Sequence, residues 1–178
     1  MKKRLLCFTM LLTVTISAIT FTNNVKAATK WNTSKSVTKE ENGIKYSAYL
    51  TEDGKESWIY QIKLSKKITK LTLPKEINQA KLTRVGFGKE LYNKGEDEDA
   101  YQNLFGDTIE PWHNCYGDLS NDDKNKQTIE TVAIPGTVNQ LEIATFSGMK
   151  KLKSVVIPEQ TASVPAYTFA KCSALSKV

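Results

Sequence analysis

Ile129-Glu-Thr-Val132-Ala-Ile134-Pro135 and Leu152-Lys-Ser-Val155-Val-Ile157-Pro158 carry one pattern, aliphatic-x-x-aliphatic-x-aliphatic-Pro. The step from Pro135 to Pro158 sets a period that persists beyond the two heptapeptides. Leu141 falls on Val164, Ile143 on Ala166, Phe146 on Phe169, Met149 on Cys172, Leu152 on Leu175 and Val155 on Val178. Agreement in hydrophobic class along a whole unit at one period marks an internal repeat. A third copy, Ile68-Thr-Lys-Leu71-Thr-Leu73-Pro74, lies well over two periods upstream of Ile129, so an insertion separates it from the next unit.

The spacing dictates local structure. Val132 and Ile134, or Val155 and Ile157, stand two apart, so they point to one side of a short strand and the residue between them points to the other. Pro135 and Pro158 follow at once, and a residue without an N–H suits a strand end. The rest of each unit is an arc whose aliphatic, Phe and Met/Cys positions return to the same core. One unit cannot close such a core alone, so neighbours must stack and their strands form a parallel ladder. The outward strand positions are then Lys70 and Thr72, Thr131 and Ala133, Ser154 and Val156. They carry no core duty, and they are the candidate ligand-binding residues, with Val156 offering apolar contact area.

The stretch L-x-x-V-x-I-P followed by F-x-x-C-x-x-L, here Phe169-Ala-Lys-Cys172-Ser-Ala-Leu175, resembles the BspA-like leucine-rich repeat of bacterial surface and secreted proteins. The resemblance covers residues 68–87 and 129–178. It implies an α/β-type leucine-rich-repeat solenoid with a short parallel strand ladder, and a role in adhesion or protein binding. Val178 is the first inward position of a further repeat, so the solenoid is expected to be C-terminally incomplete.

The upstream segments divide by composition. Met1-Lys-Lys-Arg4, the apolar run Leu5 to Phe21 and the small-x-small triplet Val25-Lys26-Ala27 form an export signal, with the mature chain starting at Ala28. Cys7 belongs to that discarded signal. No second apolar stretch has spanning length, so no membrane span is expected after cleavage, and the chain is expected to be secreted or at the cell surface. Residues 28–42 are polar and aperiodic, a flexible lead-in. Ile44 to Leu50 and Trp58 to Leu64 alternate around Glu52-Asp53-Gly54-Lys55, so residues 43–65 are expected to form a β-hairpin that caps the open edge of the repeat domain, 66–178.

Charge excludes one partner class. The formal charge is +6, and residues 1–27 contribute four basic residues and no acid, leaving +2. Net charge therefore gives no ground for a nucleic-acid partner. Residues 88–127, the insertion, hold ten acids against four lysines. Asp118-x-Ser120-x-Asp122 opens like a calcium loop, but position six is Asp123 where glycine is needed, so the EF-hand reading fails. The insertion reads as a solvated acidic loop.

Trp112-His113-Asn114-Cys115-Tyr116 gathers aromatics, the one histidine and a thiol. A Cys–His nucleophile lacks an accompanying oxyanion motif, a zinc site lacks further ligands, and a sugar platform has only the two rings to support it. The preferred reading is that Trp112 and Tyr116 anchor the insertion. An oxidising compartment permits a Cys115–Cys172 bridge, yet Cys172 falls in the Met149 column and reads as a small buried hydrophobe. No catalytic residue, metal or cofactor is expected. The expected function is recognition of an extracellular protein or glycan. The alternative is the N-terminal repeat region of a larger secreted enzyme.

Overall fold

The computed structural model describes residues 29–88, Leu91, the backbone of 101–102 and 108–109, and residues 125–178. The expected export signal, Cys115 and the Trp112–Tyr116 cluster lie outside the described residues, as does most of the acidic insertion.

The ladder expected from the repeat is present. β4 (Lys70–Thr72), β9 (Thr131–Ala133) and β11 (Ser154–Val156) form a three-stranded parallel sheet in the order β11-β9-β4. Leu71 is level with Val132, and Val132 with Val155. All three side chains are buried, as alternation requires. The register crosses both the long gap before β9 and the single period after it without a slip.

The other sheet has the path β1-β2-β3-β6-β10. Its strands are β1 (Val37–Glu41), β2 (Ile44–Leu50), β3 (Glu56–Leu64), β6 (Ala80–Val85) and β10 (Gln140–Leu141), and β5 (Glu76–Ile77) pairs with β6 off this path. Two short strands, β7 (Tyr101–Gln102) and β8 (Thr108–Ile109), pair with each other. One hydrophobic cluster joins the two main sheets, from Ile44, Tyr46 and Ile62 through Leu71, Leu82 and Val132 to Phe146, Met149 and Leu152.

Beyond the strands, the arcs also stack. Ala144, Phe146 and Gly148 donate their N–H groups to the carbonyls of Ala166, Thr168 and Ala170 at 2.8–3.1 Å. Phe146 and Phe169 stack at 5.8 Å. Even the backbone conformation repeats: positive φ occurs at Ala144 and Tyr167, and again at Gly148 and Lys171, each pair one period apart. Backbone shape thus follows the period where side-chain type does not.

Several expectations need correction. No α-helix occurs among the described residues; the arcs are turns, and Lys126–Thr128 forms a 3-10 turn, so the α/β-type description does not hold for them. The supposed flexible lead-in, 28–42, contains β1, and Trp31 bridges to Thr51. Asn42 and Gly43, with φ of 54° and 79°, supply the left-handed turn that returns β1 onto β2. The hairpin β2–β3 does not cap the ladder. β3 pairs with β6, and among the described residues β4 remains an edge strand.

The insertion is also divided. Lys70 stands opposite Thr131, whereas Arg84 stands opposite Gln140, a shorter separation along the chain. Part of the extra length therefore lies before β6, in its β5 turn. The last residues of the insertion are not loop-like: Lys126 is buried, and the Asn125 amide donates to the Leu64 carbonyl at 3.0 Å. Finally, Val164 and Ala166 were expected inside. Both are exposed.

Candidate functional site

The six outward strand residues come together on one face of the ladder. Register alone arranges them in two rows, Lys70–Thr131–Ser154 and Thr72–Ala133–Val156. Neighbouring strands lie roughly 4.8 Å apart, so each row spans about 10 Å. Exposure is uneven. Lys70, Thr72 and Val156 are exposed, whereas Thr131, Ala133 and Ser154 are half-buried between their neighbours. Val156 is 73% exposed, the largest value among the exposed apolar side chains. The face is therefore cationic and hydroxylated at the β4 side and apolar at the β11 side. It offers hydrogen-bond and contact groups.

Charged groups flank this face. In the turn before each strand, Glu130 N–H donates to Thr69 O at 2.7 Å and Lys153 N–H to Glu130 O at 2.8 Å. The Lys153 ammonium then meets the Glu130 carboxylate at 2.9 Å, an exposed pair aligned by the repeat. Such pairs contribute at most about 1 kcal/mol. Their value here is to fix the column of turns beside the face.

A second cluster was not legible in the sequence. The Arg84 guanidinium lies 3.7 Å from the Trp58 ring centroid and 5.8 Å from that of Trp31. Its Nε donates to Glu142 Oε1 at 2.7 Å, and that oxygen also accepts the Gln140 amide. Trp58 Nε1 donates to Gly86 O at 2.6 Å. Outward from Trp58, Tyr49 stacks on Tyr60 at 4.5 Å, and the Tyr60 hydroxyl is 3.0 Å from Ser36 Oγ. Burial, then the neighbouring Tyr60, pushes the Tyr49 phenol up from its ordinary value. Arg84 and Trp58 are fully enclosed, so this cluster joins the β1–β2–β3 meander to the repeats and offers no open site. The signal that would have found it is the pairing of Trp58 with Arg84 across β3 and β6, which one-dimensional periodicity does not contain.

Cys172 carries a free thiol, buried in the Met149 column as its place in the repeat requires. Burial pushes its pKa up to about 11, the opposite of what a nucleophile needs. Among the described residues, no group of three His, Cys, Asp or Glu side chains is placed to hold a metal ion. Among the same residues, no helix is long and apolar enough to cross a membrane.

Comparison with known proteins agrees with the repeat geometry. A family model described as a BspA type leucine rich repeat region of six copies matches residues 124–178. No curated protein and no solved structure matches the chain. The match leaves out the unit at Ile68, which the ladder nonetheless includes through β4. Sequence pattern, strand register and family match thus agree over residues 124–178, the stretch that matches the BspA type leucine rich repeat region.

Proposed function

We propose that this chain is an exported recognition module, secreted or held at the cell surface, whose ladder face binds an extracellular protein or glycan. The observation that carries this reading is the outward row Thr72–Ala133–Val156, three side chains in register, of which Thr72 and Val156 are exposed. A large exposed aliphatic side chain beside hydroxyl and ammonium groups resembles the centre-and-rim composition of protein interfaces. The stacked units read as a short solenoid, a form that presents extended surfaces to partners. The N-terminal signal motif supports export, and the absence of a catalytic constellation in the sequence favours binding over chemistry.

The test is Val156→Glu combined with Thr131→Lys. Both positions lie outside the core, so the melting temperature should stay within a few degrees of the parent. Binding to immobilised extracellular-matrix proteins and glycans should fall by about tenfold or more, the loss of roughly 1.4 kcal/mol. Unchanged binding with unchanged stability would remove this face as the binding surface.

A further inference from the structure

We propose that the free edge of β4 is a docking site for an acidic, extended peptide of a partner protein, which would add a fourth strand to the ladder. This edge is distinct from the outward face discussed above, and either can fail without the other.

The hydrogen-bond pattern defines the site. Thr131 N–H donates to Thr69 O at 3.2 Å, and Leu73 N–H to Ala133 O at 3.0 Å. Residues 69, 71 and 73 therefore face β9, and alternation turns the N–H and C=O groups of Lys70 and Thr72 away from it. The Thr72 carbonyl meets the Tyr46 hydroxyl at 3.2 Å. Among the described residues, nothing pairs with the Lys70 N–H, the Lys70 C=O or the Thr72 N–H. Proteins ordinarily cover such an edge. The meander that would do so is committed to β6 instead.

An open groove of about 560 Å³ adjoins the edge. Tyr46 and Ile68 give it apolar lining, while Lys66 and Lys70 are its exposed cations and Glu41 its one acid. Glu41 is already paired with Lys39 at 3.3 Å. The uncompensated charge is thus positive, and it selects acidic side chains. A second copy fits less well: two β4 edges related by a two-fold axis would bring the lysines of both copies into one small area, where like charges repel. Backbone bonds along an exposed edge, with side chains alternating into flanking pockets, are the established physics of strand addition.

The experiment titrates the isotopically labelled full chain with the end-blocked peptide Thr-Glu-Val-Glu-Val-Glu-Thr. The Lys70 and Thr72 amide resonances should shift and their exchange should slow. The same peptide N-methylated at alternate amides should bind about tenfold more weakly, since it cannot bond the edge. Lys70→Pro removes only an N–H that faces away from β9, and it should abolish the effect with the ladder intact. If that variant fails to fold, Lys70→Glu, which keeps the N–H, should weaken binding by about fivefold through charge alone. Four results overturn the proposal. They are no binding, equal binding of the N-methylated peptide, shifts centred on Thr131 and Val156, or dimerisation of the unliganded chain through this edge.

Discussion

Arg84 ties three parts of the chain together through one guanidinium: Trp31 ahead of β1, Trp58 of β3, and Glu142 just after β10. Its side chain is 5% exposed and that of Glu142 14%. Removing one partner of so enclosed a pair strands the other, so Arg84→Ala should cost about 3–5 kcal/mol in urea denaturation. A loss below about 1 kcal/mol would show that the contact is incidental. Tyr167 presents the opposite case. It is 41% exposed and holds φ of 58° at the place of Ala144 one period earlier. Left-handed backbone disfavours a bulky side chain by about 1–2 kcal/mol, and glycine's greater unfolded-state freedom offsets part of that. Tyr167→Gly should therefore stabilise by about 0.5–1 kcal/mol, read as a rise in the denaturation midpoint; a fall would mean the ring is needed for packing.

Tyr46 gives a pH dependence at the same scale. Burial first, and the Glu41 charge second, push its phenol up to about 12 from 10.0. The folded state holds this proton more tightly than the unfolded chain does. The stabilisation is full below pH 10 and is lost as pH rises toward 12. Between pH 9 and 11.5 the parent should lose more stability than Tyr46→Phe, which has nothing to titrate. Equal losses would place the effect elsewhere. None of these three residues was singled out from the sequence, because each owes its role to a neighbour distant along the chain or to backbone conformation.

At the scale of elements, the repeat strands were legible and the N-terminal hairpin was only half so. The period from Pro135 to Pro158 located β9 and β11, and the same motif located β4 across the long gap. The short range of the pattern explains this success: two inward side chains and a following proline are sufficient to specify so short a strand. The meander's partner was not legible, since β3 pairing with β6 depends on which edge the hairpin reaches. β1 was missed because Val37-Thr-Lys-Glu-Glu41 lacks apolar alternation, although Asn42-Gly43 is itself a turn signal. Gly86 shows how tightly the second sheet meets the arc. It has φ of 112°, and an added Cβ would run into Thr145 Oγ1 and Glu142 Cβ. Gly86→Ala should cost about 2–3 kcal/mol by thermal denaturation, and a neutral result would contradict the close approach. The insertion divides into replaceable and structural parts. Substituting a short Gly/Ser linker for residues 92–123 should leave a cooperative unfolding transition, since closure entropy changes slowly with length. Extending the replacement through Asn125–Gln127 should not, because Lys126 is buried and Gln127 donates to Gly148 O at 3.0 Å.

For the whole molecule, the account rests on one structural statement: the unit at Ile68 and the units at Ile129 and Leu152 continue a single ladder, although the insertion separates the first two. The core, the outward face and the free edge at β4 all depend on that continuity. The most direct measurement is the register across the gap. Thr72 stands opposite Ala133, on adjacent parallel strands about 4.8 Å apart, within the Cα separation that a disulfide tolerates. In Thr72→Cys/Ala133→Cys, mild oxidation followed by peptide mapping should find a 72–133 bridge in nearly all molecules, with unfolding shifted to higher denaturant. The control Thr72→Cys/Ser154→Cys places its thiols two strands apart and should remain reduced. A folded 72/133 variant that stays reduced, or a control that bridges as readily, would contradict the continuous ladder.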